Sequence, residues 1–121
     1  EILRRRRTVD STLKENERLK FGDVKKSQNG KFELKFLEDG NLVLYNNNHQ
    51  PMWAAHTKNR QNTNYAILKN DGNFCVFSQT NDKLWETGVR GKPSQAPFHL
   101  QVLDDCGLAI KGADNSIIWT A

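Results

Sequence analysis

Long apolar runs are missing from this chain of 121 residues. No stretch approaches the roughly 18–20 consecutive apolar residues of a membrane-spanning helix, which excludes that class. Cysteine is scarce: Cys75 and Cys106 allow at most one internal disulfide. The three histidines, His49, His56 and His99, are scattered. No Cys/His spacing suits zinc, and no glycine-rich loop suits phosphate. Asp104 and Asp105 read as neighbours on a strand, where alternate residues take opposite faces, so they do not form a carboxylate pair. No Ser-His-Asp set is identifiable. The expectation is a protein that is not an enzyme and that uses no metal or cofactor. No secretory signal remains, although a chain opening at Glu1 is compatible with a trimmed leader.

An excess of one charge is also lacking once the ends are set aside. The formal net charge is +4, from 18 Lys and Arg against 14 Asp and Glu. Four of the basic residues are Arg4, Arg5, Arg6 and Arg7, so the remainder is formally neutral. A nucleic-acid domain would carry its basic patch on the fold itself, and none is expected as a partner. Residues 1–8 read as a basic disordered tail; an anionic-surface anchor or a processing site ending at Arg7 are sharper alternatives.

What the chain does have is repetition. Trp53, Trp85 and Trp119 are 32 and 34 residues apart, and so are Asp39, Asp71 and Asp105. Tyr45, Phe77 and Lys111 keep the same offsets. Each unit opens with a stretch alternating at period two (Phe32–Phe36, Tyr65–Leu68, Phe98–Val102) and continues through a turn at Asp39-Gly40, Asp71-Gly72 or Asp105-Cys106. A second alternating stretch and a polar loop lead to a short strand ending in Trp. Helical arrays of similar period need apolar spacing of 3.6, so this pattern predicts an all-β fold. Three equal sheets around a pseudo-threefold axis would bring the three Trp into one shared core. Leu13, Leu19 and Val24 punctuate the segment before the first repeat, with turn signals at Gly22 and Asn29-Gly30, and would supply strands that complete the prism.

Asp10-Ser-Thr-Leu13, Leu19, Gly22, Asn29-Gly30, Asp39-Gly-Asn-Leu-Val-Leu-Tyr45 and Trp53 resemble the bulb-type mannose-binding lectin family of monocots such as snowdrop. The resemblance covers about residues 9–121. It implies a β-prism II fold, three four-stranded antiparallel sheets with one sugar site per sheet and the motif Gln-x-Asp-x-Asn-x-Val-x-Tyr. It also implies metal-independent binding of mannose-type glycans, the Asp and Asn reaching the axial 2-hydroxyl and the Tyr the 4-hydroxyl. Residues at spacing two share a strand face. Asp39, Asn41, Val43 and Tyr45 therefore offer a carboxylate, an amide, an apolar patch and a phenol in one row, with Leu42 and Leu44 turned to the core.

The repeats depart from the motif unequally. The first has Leu37 at the Gln position and matches elsewhere; the second reads Lys69, Asp71, Asn73, Cys75, Phe77; the third reads Leu103, Asp105, Gly107, Ala109, Lys111. Sugar binding is expected mainly at the first site, with Asp71 and Asn73 marking a crippled second site. The alternative is a prism reused for protein interaction or defence, without useful sugar affinity. The family often has a disulfide using the position held here by Cys106, but Cys75 occupies the Val position on the site face. Both thiols are expected to be free, Cys75 accessible and Cys106 turned inward, which leans against an obligatory extracellular life and leaves open both secretion after removal of a signal segment and a cytoplasmic location. Related lectins dimerise by exchanging a C-terminal strand, so a homodimer is expected, with Ile117, Ile118 and Trp119 packing at home or on the partner.

Overall fold

The computed structural model describes residues 10–58, 62–105 and 107–121. The basic tail and Cys106 lie outside the described residues. Within them the segment before the first repeat forms three short strands, β1 (Thr12–Lys14), β2 (Arg18–Leu19) and β3 (Val24–Lys26). The first repeat forms β4 (Glu33–Phe36), β5 (Leu42–Tyr45) and β6 (Pro51–Ala54). The second forms β7 (Thr63–Leu68), β8 (Phe74–Ser78) and β9 (Lys83–Glu86), and the third β10 (His99–Leu103), β11 (Gly107–Lys111) and β12 (Ile117–Thr120). A 3-10 turn at Pro93–Gln95 precedes β10.

The strands pair into three antiparallel sheets ordered β3-β4-β5-β6, β2-β7-β8-β9 and β1-β10-β11-β12. Each sheet is thus one repeat's three-stranded meander plus one edge strand from the N-terminal segment. The period-two pattern decides which face of each strand turns inward. Leu34, Phe36, Leu42 and Leu44 of the first sheet are at most 1% exposed, as are Leu68, Phe74 and Val76 of the second and Leu100, Val102, Leu108 and Ile110 of the third. Leu13 and Leu19 on the loaned edge strands join the same core. Burial of such a side chain is worth about 1.5–3 kcal/mol, and one sheet alone has nothing to bury it against.

The tryptophans meet but do not sit at the centre. Trp53 stands opposite Leu44, Trp85 opposite Val76 and Trp119 opposite Ile110. The Trp53 ring lies edge-on to Trp85 at 5.4 Å and to Trp119 at 6.4 Å. All three are half-buried, so the shared core expected of them belongs to the aliphatic and Phe side chains, against which the Trp cluster packs. β12 pairs with β11 of its own chain, Ala109 facing Thr120 and Ile110 facing Trp119, and completes the third sheet at home.

One further expectation is corrected. Asp104 and Asp105 lie in the turn between β10 and β11, not on a strand. The Asp104 carboxylate accepts the Asn29 N–H at 2.9 Å, and its carbonyl accepts from the Asn29 Nδ2 at 2.9 Å. Val24 is 42% exposed, whereas Lys25 is 6% exposed, so β3 turns its lysine inward.

The reason is an ion cluster. Lys25 Nζ lies 2.6 Å from Asp10 Oδ2 and 3.0 Å from Glu17 Oε2. Asp10 leads into β1, Glu17 leads into β2, and Lys25 is in β3, so one ammonium ties the approaches to all three sheets. Burial pushes the Lys25 pKa down, but hydrogen bonds and charge from Asp10 and Glu17 outweigh it and leave the group above its ordinary value. Burial likewise pushes Asp10 up, and Lys25 together with the Thr12 N–H brings it net below the ordinary carboxylate value.

Lys25→Ala is expected to cost about 2 kcal/mol in urea unfolding at pH 7, from lost charge-assisted hydrogen bonds and a lost stem, moderated because both carboxylates keep solvent access. The depressed Asp10 pKa adds stability above its unfolded value of 3.8, and that stability drains away as pH falls through the lower folded value. The raised Lys25 pKa loses its contribution only as pH rises past 10.5. The gap between wild type and Lys25→Ala should therefore be full at neutral pH and shrink in acid. A gap unchanged down to about pH 2.5 would contradict the ion-pair assignment.

Candidate functional site

With Leu42 and Leu44 in the core, β5 turns Val43 and Tyr45 outward, and the turn before it carries Asp39 and Asn41. The Asp39-Gly40 turn needs glycine for two reasons. Gly40 has φ +89, and an added Cβ would sit 2.9 Å from Thr63 Cβ and Oγ1. Asp39 Oδ1 accepts the Asn41 N–H at 2.9 Å, which fixes the turn. Asn41 Oδ1 accepts the Thr57 N–H at 3.1 Å and the Leu42 N–H at 3.1 Å, while Thr57 Oγ1 donates to the Gly40 carbonyl at 2.6 Å. Asn41 is therefore held through its oxygen. Its Nδ2 makes no hydrogen bond among the described residues, and neither does the Tyr45 hydroxyl. Val43 faces Lys35 on β4 and Ala54 on β6 across the ladder and is 3% exposed, so the apolar patch is largely covered. Lys35 Nζ stands 5.6 Å from the centre of the Tyr45 ring and 3.7 Å from Glu33.

The second face has the same backbone and different chemistry. Asp71 Oδ1 accepts the Asn73 N–H at 2.9 Å, as in the first repeat. Asn73, however, is 2% exposed. Its Nδ2 donates to Glu86 Oε1 at 2.7 Å, and its Oδ1 accepts from Thr87 Oγ1 at 2.8 Å and the Gly88 N–H at 2.9 Å. Lys83 holds the same Glu86 oxygen at 2.9 Å. Hydrogen bonds from Lys83 and Asn73 keep the Glu86 carboxyl below its ordinary pKa. Phe77 stacks on Tyr65 at 5.6 Å and offers no hydroxyl.

Cys75 departs from expectation. It is free but fully buried, flanked across the ladder by Ile67 and Glu86. Burial, with smaller contributions from Glu86 and Asp71, pushes its thiol up to about 11 against the pull of Lys69 and Lys83. On the third face Asp105 is exposed in its turn, and Lys111, where the first repeat has Tyr45, donates to Gln101 Oε1 at 2.8 Å. Burial and the Lys111 charge lower the pKa of the neighbouring His99.

The structure thus sets Asp39, Asn41, Val43 and Tyr45 on one face and Asp71 and Asn73 on another. Sequence reasoning missed Thr57, Lys35, Glu86 and Thr87. The last two had a signal: the 32-residue offset sets Glu86 against Ala54 and Thr87 against Ala55. Among the described residues no group of three or more His, Cys, Asp or Glu could hold a metal ion, and no helix is long and apolar enough to cross a membrane.

The model of the D-mannose binding lectin family matches residues 23–88, more than half of the chain. The chain belongs to this family. A mannose-specific lectin of Dendrobium findlayanum is 38% identical over 72 residues, which is 60% of this chain and 41% of that protein. The chain therefore spans about two fifths of that relative's length. Among solved structures, a lectin from Allium sativum superposes with a TM-score of 0.74 at 29% identity, covering 92% of this chain and 99% of that one. The mannose-specific agglutinin of snowdrop, Galanthus nivalis, solved with methyl-α-D-mannoside, gives 0.75 at 27% identity, covering 88% and 94%. The fold is accordingly the β-prism II of these lectins.

The buried thiol has a direct check. At pH 8 a maleimide should leave Cys75 unmodified in the native protein and label it after unfolding, as peptide mapping would reveal. Labelling of Cys75 within minutes under native conditions would contradict its burial.

Proposed function

We propose that this chain is a lectin that binds mannose-type glycans through its first-repeat face, without metal, cofactor or catalysis. In this reading the threefold repetition is a triplicated unit in which one binding face stays open. The observation that carries it is the contrast between two asparagines: among the described residues the Asn41 side-chain amide N–H groups and the Tyr45 hydroxyl on the same face have no partner, whereas Asn73 is 2% exposed and is held by Glu86, Thr87 and Gly88. Asp39 keeps one carboxylate oxygen beyond the one that fixes its turn. An acceptor, a donor and a phenol around a small apolar floor suit the vicinal hydroxyls of a hexose. Neutral hydrogen bonds are worth about 0.5–1.5 kcal/mol each and those to a charged group about 1.5–3, so a single shallow site binds weakly.

Asn41→Asp keeps the oxygen that Thr57 and Leu42 use and removes the donor. It is expected to weaken binding of a mannosylated glycan at least about tenfold, with little loss of stability. Tyr45→Phe should weaken it about three- to tenfold, and Asp105→Asn should leave it unchanged. A glycan array followed by calorimetry on the folded variants, with and without EDTA, makes the test. Equal effects of all three substitutions, or loss of binding with EDTA, would contradict the assignment.

One weak site gains from a second copy, and the proposal includes a homodimer. Ile117 on the terminal strand is 59% exposed and Met52 on β6 is 48% exposed, which leaves apolar surface on the outermost strands of two sheets. Light scattering should show a mass that rises towards twice that of the chain with concentration; a constant monomer would reject the dimer and leave the fold and the sugar site standing.

A further inference from the structure

We propose that the second-repeat face is a carbohydrate site closed by its own chain, with the Glu86 carboxylate seated at Asn73 where a sugar hydroxyl would sit. This rests on the reading that the matching first face binds a hexose. The two faces share their backbone register. β6 sets Ala54 opposite Val43, and β9 sets Glu86 opposite Cys75, so Ala54 and Glu86 occupy equivalent places. What differs is the side chain. Ala54 offers the Asn41 Nδ2 no acceptor, and that nitrogen has no partner among the described residues, while Glu86 reaches the Asn73 Nδ2 at 2.7 Å. Ala55 likewise gives way to Thr87, whose hydroxyl donates to the Asn73 oxygen at 2.8 Å.

The closure is held at the surface, not in the core. Lys83 grips Glu86 at 2.9 Å from three residues earlier, and the two side chains are 40% and 33% exposed. An exposed pair of this kind contributes little to stability. It does provide an internal competitor at an effective concentration that a free monosaccharide does not match. A carboxylate is also a stronger acceptor for an amide N–H than a hydroxyl oxygen. Glu86 therefore sets the number of binding faces per chain, and Phe77 adds a second deficit by withholding the phenol.

The test is residue-resolved NMR titration of the whole chain with methyl-α-D-mannoside. Wild type and Phe77→Tyr are expected to show no saturable shifts at residues 71–77, because Glu86 still occupies Asn73. The folded double variant Glu86→Ala/Phe77→Tyr is expected to gain saturable shifts there, with those at residues 39–45 unchanged. No response at 71–77 in the double variant overturns the proposal, and so does a response already present in Phe77→Tyr. Absence of shifts at 39–45 in every protein overturns the reading of the first face; a response at 71–77 confined to the double variant would still support closure by Glu86.

Discussion

Three small sheets, each with a single apolar face, have no way to bury that face except against one another. This constraint shapes the molecule. Each repeat supplies a three-stranded meander, too narrow to close its share of the core, and residues 12–26 supply one edge strand to each sheet. The N-terminal segment is thus the lacing of the prism, and Lys25 is the knot that holds its leads through Asp10 and Glu17. Backbone N–H groups on or next to the laced strands, those of Thr12, Lys14 and, just past β2, Lys20, are taken by the side chains of Asp10, Glu17 and Asp23. That occupancy discourages further strand addition along these edges.

Because the inward faces carry the folding energy, the outward faces are free to differ. The Asp-x-Asn turn is built alike in the first two repeats, with the Asp accepting the backbone N–H two residues on at 2.9 Å in both. Turn chemistry alone accounts for that carboxylate oxygen, so an Asp in this position is a scaffold residue first. The character of each face is decided by its neighbours: Ala54 or Glu86, Tyr45, Phe77 or Lys111. At the Asn position one frame therefore carries an open amide, a capped amide and, at Gly107, no side chain.

Much of this was legible in the sequence. The offsets of 32 and 34 residues and the period-two alternation give the three sheets, and the parity of Leu42, Val43, Leu44 and Tyr45 gives the direction of the site. What parity does not reveal is whether an outward residue is covered. Cys75 shares the parity of Val43 and is buried beneath its cross-strand neighbours, and β3 turns Lys25 inward and Val24 outward where two carboxylates offer the lysine a partner. The half-burial of the Trp cluster was equally hidden, since equal spacing says that the rings meet but not how deep. The closure of Asn73 depends on a side chain thirteen residues away, and the motif that marks the site stops short of it.

The central claim is that one outward face is open and the next is filled by the chain itself. Crystals of the intact protein soaked with methyl-α-D-mannoside would test it most directly. The account predicts sugar density on the face of Asp39, Asn41 and Tyr45, with the Glu86 carboxylate still bonded to Asn73 and no sugar there. Sugar on the Asn73 face with Glu86 displaced, or an empty first face beside an occupied second one, would contradict it.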